Sequence, residues 1–409
     1  MFCNIYFLVN RKFYKRNGVN ALSSFKKKTE IMSHTNMTGI EHLFDSSRTP
    51  YHLPDPTALI DPDIFQAVFG HPLDAGSFGA ITQSSPGRVR KILAFSETPV
   101  DLPSGIYSDV KIVHLGERNY KLRTDGLSED FTLSEKDHLH VVGGIIEGVI
   151  LRSLQNIEGV VSYHDRTFTV VDGHIFMSTE MDEAPGRTTY ELAEEGMTLE
   201  SALKISYDAA STLQQIHSQD IIHGDITPKN IMSDGNKTTI TDFGNSRVIG
   251  LDLYLGLLYR EDNEKSYVVS FANDLPIVGT PDYFAPETFF TGSSVPGDIY
   301  SMVTTTLHLT TGVVVAPTIR EEGWSPEIYQ STKKAMIESN VPQPVRQAIL
   351  FNLLTAPEKR NLEVLISALG TSLGAELPAG VRAYSCPSVF AKTQLSYSPH
   401  ETAKTELLS

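Results

Sequence analysis

The sequence predicts an α+β protein in which a sheet-rich part precedes a mainly helical one, and three observations carry that expectation. From Val68 to about Phe176, short runs rich in β-branched residues ("GAITQ", "GRVRKIL", "DVKIVHL", "TFTVV") alternate with Gly, Pro and Ser turns. Only one helical stretch interrupts them. From about Leu192 onward the apolar period lengthens. In "LESALKISYDAASTLQQIHS", Leu199, Ala202, Ile205, Ala209, Leu213 and Ile216 recur every three or four residues and give one apolar helix face.

With 409 residues, 40% hydrophobic and 20% charged, the chain can bury one large core or two moderate ones. The formal net charge is -15, although residues 1–31 carry seven Lys or Arg against Glu30 alone, so the remainder is more acidic still. That balance argues against nucleic acid as the main partner of the folded part. The opening "MFCNIYFLVN" is too short to span a bilayer, and its basic cluster follows the apolar run, the reverse of a secretory signal. No membrane partner is expected. Cys3 and Cys386 are the only cysteines, which excludes a disulfide framework and a cysteine zinc site and fits an intracellular compartment, cytoplasmic or nuclear.

Residues 1–60 read as a disordered, basic lead-in that ends in "TPYHLPDPTALIDP", and residues 371–409 as a flexible tail. The folded part is expected between them. No internal repeat is visible.

The densest chemistry lies in "IIHGDITPKN", residues 221–230, where His223, Asp225, Lys229 and Asn230 follow two strand-forming isoleucines. An aspartate on such a loop can orient a hydroxyl and take its proton, and an asparagine can offer a carbonyl oxygen to magnesium. Downstream, "TITDFGNS" brings Asp242 on a second strand-to-loop turn. Each piece alone is an ordinary turn. Together, in this order, they suit a magnesium ion on nucleotide phosphates.

These residues resemble the protein kinase superfamily, whose catalytic loop reads H-R-D-L-x-x-x-N and whose following strand ends in D-F-G. The resemblance implies a bilobal fold, with a small antiparallel-sheet lobe over 67–181 and a larger helical lobe over 182–369. It also implies ATP and Mg²⁺ as cofactors, Asp225 as base, Asn230 and Asp242 as metal ligands, and His223 and Phe243 as internal packing residues. Residues 73–81, "LDAGSFGAI", match the glycine-rich hairpin with Leu73, Gly76, Ser77, Phe78, Gly79 and Ile81, while Asp74 stands where the first glycine is usual. In "GRVRKIL", alternation puts Val89, Lys91 and Leu93 on one face, so Lys91 is the candidate nucleotide lysine and Lys111 its rival.

Glu147 in "EGVILRSLQNIEGVVSYHD" would be the carboxylate partner of that lysine, or else a solvated surface acid, since Gly143, Gly144 and Gly148 weaken its helix. The long gap from Lys91 to Glu147 marks about 95–140 as an insertion. In "HIFMSTEMDEA" the resemblance puts Thr179 at a constriction and the backbone of Glu180 and Met181 against adenine. "GTPDYFAPE", residues 279–287, is close to the G-T-x-x-Y-x-A-P-E of Ser/Thr kinases; Asp298 fits the acid that braces the catalytic loop, and Arg360 the partner of Glu287.

Departures from the pattern are informative. Thr227 replaces the usual cation two residues after the base, and Lys229 is either a substitute reaching the γ-phosphate or a solvated lysine. Gly224 replaces the arginine that pairs with a phosphorylated activation segment, which predicts activity without such phosphorylation. The segment from Asp242 to Glu287 carries extra material, "LDLYLGLLYREDNEKSYVVS". The compact hairpin and divergent first glycine resemble viral kinases, including those of large DNA viruses, for which the host cell would be the location. The expected function is transfer of the γ-phosphate of ATP to serine or threonine hydroxyls of protein substrates. A pseudokinase scaffold and a small-molecule phosphotransferase are the two competing readings.

Overall fold

The structure, a computed structural model, describes residues 55–76, 79–94, 99, 104–107, 111–116, 119–124, 127–132, 144, 147–249, 256–259, 266–269, 279–288, 292–315 and 325–375. The expectations for the basic lead-in up to residue 54, for the tail beyond 375, and for Ser77 and Phe78 lie outside the described residues.

Six antiparallel strands form the first layer: β1 (Pro72–Gly76), β2 (Gly79–Ser85), β3 (Arg88–Ala94), β4 (Gly105–Tyr107), β8 (Tyr163–Val171) and β9 (His174–Asp182). Their spatial order is β1-β2-β3-β9-β8-β4. Register lines Ile81, Lys91, Thr179 and Arg166 into one cross-strand row. The adjacent row, Ala80, Ile92, Ser178 and Thr167, faces the other way because side chains alternate along each strand.

That second face is covered by chain upstream of the expected domain start. A 3-10 turn at Pro56–Ala58 leads into α1 (Pro62–Phe69), where Asp61 caps the helix by accepting from the Asp63 N–H at 2.8 Å and proline opens its first turn. Phe65 and Phe69 are buried; the Phe69 ring lies 5.2 Å from that of Phe176 and completes a core with Ile60, Ala80, Ile92, Ala94 and Val171. Residue 67 therefore falls inside a packed helix. Pro56 and Pro62, which read as loop signals, open a 3-10 turn and a helix here.

The opposite face meets the helix through residues 147–154, called α2, whose Ile150, Leu151 and Leu154 are buried. Within the expected insertion, β5 (Lys111–Gly116), β6 (Asn119–Thr124) and β7 (Leu127–Thr132) form a separate three-stranded sheet.

The helical part begins with α3 (Thr189–Glu194), closed by a capping box between Thr188 and Glu191, and α4 (Leu199–Ser218), capped by Thr198. Of the periodic residues, Ala202, Ile205, Ala209, Leu213 and Ile216 are buried, and Leu199, in the first turn, is half-buried. Beside α4 runs α5 (Val295–Thr311), buried almost throughout. Its Thr304, Thr306 and Thr310 hydroxyls donate to the carbonyls of Tyr300, Met302 and Thr306 one turn back, so a threonine-rich helix can sit in a core with its hydroxyls satisfied. Helices α6 (Pro326–Glu338), α7 (Gln343–Leu354) and α8 (Leu362–Leu373) complete the core. Among the described residues no helix is long and apolar enough to cross a membrane.

Phe65→Ala is expected to lower stability by about 3–5 kcal/mol, because a buried ring leaves a cavity between α1 and the sheet. Equilibrium urea denaturation checks this.

Candidate active site

Short hairpins at the junction of sheet and helices present the site. Strand β11 (Ile221–Ile222) pairs with β14 (Arg247–Val248), and β12 (Ile231–Ser233) pairs with β13 (Thr238–Ile240). The loop from β11 to β12 carries His223 to Asn230, and the turn after β13 carries Asp242. Two consecutive strand-to-loop turns thereby place their acids side by side.

Lys91, buried on β3, reaches both partners. Its Nζ lies 2.8 Å from Glu147 Oε1 on α2 and 2.7 Å from Asp242 Oδ1. Burial opposes the charge of Lys91, but the Asp242 and Glu147 carboxylates outweigh it and raise its pKa. Burial raises Glu147, a rise that the Lys91 charge only partly offsets. Asp242 is also buried, yet the Lys91 charge and hydrogen bond hold it below the ordinary carboxylate value. Lys111, the rival lysine, stands on the separate β5–β7 sheet and takes no part in the six-stranded row.

Gly144 and Gly148 explain how α2 comes so close. A Cβ at 144 would overlap Met177 and lie 2.9 Å from Leu93 Cδ1, and one at 148 would overlap the Arg166 guanidinium. The glycines weaken the helix in isolation but let it seat against the sheet, so Glu147 is 1% exposed and not a surface acid.

Asp225 is held from two sides. Its Oδ1 accepts from the Thr280 N–H at 2.9 Å, and its Oδ2 from Asn230 Nδ2 at 3.0 Å. Burial and the neighbouring Asp242 charge raise its pKa, and the Thr280 N–H partly offsets them. A carboxylate so raised is a better proton acceptor. The Asn230 nitrogen also donates to the Asp225 carbonyl at 2.8 Å, which commits the NH₂ end and leaves the amide oxygen for a cation. Asp242 adopts the left-handed conformation at φ 60°, unusual for a non-glycine residue and typical of strained functional turns.

The loop is anchored beneath by Asp298, which accepts the His223 N–H at 2.8 Å, the Gly224 N–H at 2.9 Å and a contact from His217 Nε2 at 2.9 Å. His223 Nδ1 accepts the Asp225 N–H at 3.2 Å, so Nε2 carries the proton donated to the Thr241 carbonyl at 3.1 Å. Its ring packs on Phe243 at 4.8 Å, both side chains fully buried. Arg360 forms a two-pronged pair with Glu287, one prong at 3.1 Å, and fixes the loop that carries Thr280.

Other expected residues lie on the turn after Asp225, on β9 and in the hairpin. Lys229 is exposed with its ammonium over the Tyr190 ring at 5.3 Å, and no ion pair joins it to Asp225 among the described residues. The cause is the 3-10 turn Pro228–Asn230, which turns Asn230 inward and the preceding lysine out. Glu180 and Met181 stand at the end of a strand. Strand β9 runs through both, with Val89 and Tyr163 opposite Met181, and Ser84 Oγ donating to Glu180 Oε1 at 2.6 Å. In the hairpin, Gly76 pairs with Gly79, Ile81 lies opposite Lys91 and Leu73 is exposed. Gly79, at φ 104°, lies against the Ile92 carbonyl where any Cβ would overlap it.

Sequence reasoning missed Thr280 as a backbone donor, Tyr190 as the seat of Lys229, and Arg166. A signal for Arg166 exists: period-2 alternation in "YHDRTFTVV" puts it on one face with the buried Phe168 and Val170, the argument that singled out Lys91.

Gly224 has a structural role besides its missing side chain. It sits at φ 83°, and a Cβ would lie 2.5 Å from the Asn245 carbonyl oxygen. Gly224→Ala is expected to cost about 2 kcal/mol or more through the left-handed backbone and this clash, read as a lowered urea midpoint.

The residues present suit magnesium better than a metal that needs a protein cage. Among the described residues no group of three or more His, Cys, Asp or Glu could hold an ion, whereas one carboxylate and one amide oxygen are what an ion shared with phosphates requires. A family model for the protein kinase domain matches residues 134–369, more than half of the chain; β1 to β3, with Lys91, precede the match. The chain is 29% identical over 155 residues to a probable serine/threonine-protein kinase, kinX, of Dictyostelium discoideum, covering 37% of this chain and 12% of that protein. It is 28% identical over 173 residues to the dual serine/threonine and tyrosine protein kinase of Gallus gallus, covering 41% and 16%. It is 35% identical over 101 residues to mitogen-activated protein kinase kinase kinase 8 of Rattus norvegicus, covering 24% and 18%. The chain thus spans less than a fifth of the length of these relatives. On the site and the family match together, this chain belongs to the protein kinase domain family.

Proposed function

We propose that this chain transfers the γ-phosphate of ATP to serine or threonine hydroxyls of protein substrates. The observation that carries the reading is the meeting of Lys91, Glu147 and Asp242 in one buried ion cluster across the two lobes, beside the Asp225–Asn230 pair. In this reading Lys91 lies along the nucleotide phosphates, kept in place by Glu147. Asn230 and Asp242 would hold Mg²⁺, which when bound offsets charge on the phosphates. Asp225 orients the acceptor hydroxyl and takes its proton as the new oxygen–phosphorus bond forms and the bond to ADP breaks.

Acceptor type follows from the loop at 279–287. The Thr280 N–H bonds directly to Asp225, so that loop closes in on the base and favours a short aliphatic hydroxyl over a phenol. The relatives include a probable serine/threonine-protein kinase, which supports this reading, and a dual serine/threonine and tyrosine protein kinase, which admits both acceptor types. Lys229 has its ammonium over Tyr190, whose ring meets His308, the hydrogen-bond partner of Tyr283 in that loop.

Asp225→Asn is expected to reduce transfer from labelled ATP to a generic Ser/Thr acceptor at least about a hundredfold, while Mg·ATP still binds. Equal labelling by wild type and variant would point to a scaffold instead. Lys229→Ala is expected to lower kcat about tenfold with KM for ATP nearly unchanged; unchanged turnover would make it a solvated lysine. Because Gly224 has no cation to pair with a phosphate, phosphatase-treated protein is expected to keep its activity, measured beside an untreated sample.

A further inference from the structure

Arg166 occupies a place that the reading above does not use. Along the β3-β9-β8 row, Lys91 faces Thr179 and Thr179 faces Arg166, so two cations stand on one side of the sheet with one residue between them. Helix α2 crosses that row. Residues 144, 147 and 148 are spaced three and four apart and therefore share one helix face.

The guanidinium enters the gap that Gly148 leaves. Arg166 Nη2 donates to the Gly144 carbonyl at 3.3 Å, and a side chain at 148 would overlap the same nitrogen. Between these contacts lies Glu147. One of its oxygens bonds Lys91, and the other, Oε2, is buried with no hydrogen-bond partner among the described residues. The positive charge of Arg166 favours the ionised form of Glu147, as that of Lys91 does. A buried carboxylate with one oxygen unbonded is costly, and a second cation alongside reduces that cost.

We propose that Arg166 is a positioning residue: seated against Gly148 and bonded to the Gly144 carbonyl, it fixes helix α2 and holds Glu147 aimed at Lys91. The inference rests on the reading of Lys91 as the nucleotide lysine. It assigns Gly148 a purpose, since any larger residue there would expel the guanidinium.

The test compares wild type, Arg166→Met, Glu147→Gln and the double variant for kcat and for KM of Mg·ATP, with melting temperatures recorded alongside. Arg166→Met is expected to lower kcat/KM for ATP about tenfold, mainly through KM, and to add nothing further in the Glu147→Gln background. Losses that multiply in the double variant would overturn the proposal, because a merely structural arginine acts independently of Glu147. Should Arg166→Met fail to fold, Arg166→Lys is put through the same cycle: its single ammonium lacks the planar guanidinium that fills the space beside Gly148, so the same loss without additivity is expected, and multiplied losses would again overturn it. If Glu147→Gln matched wild type, the Lys91–Glu147 reading itself would fall and this inference with it. A wild-type-like Glu147→Gln and an additive cycle are thus separate results.

Discussion

The physical constraint behind this structure is a buried surplus of negative charge. Lys91 faces Glu147 and Asp242 at hydrogen-bond distance, and Asp225 lies close enough to Asp242 for their charges to act on each other. Against these three carboxylates stand the Lys91 ammonium, bonded to two of them, and the Arg166 guanidinium, which acts on Glu147. Taking each ion out of water costs several kcal/mol, and two cations cannot fully compensate three anions. The fold meets the difference with directed donors: the Thr280 N–H and the Asn230 amide on Asp225, and the Gly244 N–H on Asp242 at 3.3 Å. What remains is a negative field at a junction of loops, the environment in which a divalent cation carrying phosphates is stabilised.

Holding that surplus in place explains much of the architecture. The sheet fixes Lys91 by register, and the phenylalanine-rich cover of α1 buries the face that would otherwise be solvated. Helix α2 can approach only because glycines line its inner side. Below, Asp298 binds two consecutive backbone N–H groups of the catalytic loop, and Arg360 locks the loop that delivers Thr280. Each is a buried charge with a specific partner, so removing one partner leaves the other exposed to the full desolvation cost.

Much of the site was legible in the sequence because its chemistry depends on short spacings. Asp225, Asn230 and Asp242 sit on turns whose flanking strands are marked by β-branched residues, and alternation together with the resemblance favoured Lys91 over Lys111. Asp298 and Arg360 were legible from motif order. Glu147 was ambiguous, since the glycines that weaken its helix are the ones its packing requires, and close approach leaves no trace in propensity. Helix α1 was not foreseen, because Pro56 and Pro62 look like breakers unless the caps before them are weighed. The direction of Lys229 depends on a single 3-10 turn, and the extension of β9 through Met181 on pairing with distant strands. Neither can be read locally.

The most direct measurement is calorimetric titration of Mg·ATP into wild type and into Lys91→Met. The account predicts saturable, Mg²⁺-dependent binding by wild type and an affinity at least about tenfold weaker in the variant, because the methionine leaves the buried carboxylates unbalanced against the phosphates. Equal affinity in the two proteins, or binding indifferent to Mg²⁺, would contradict it.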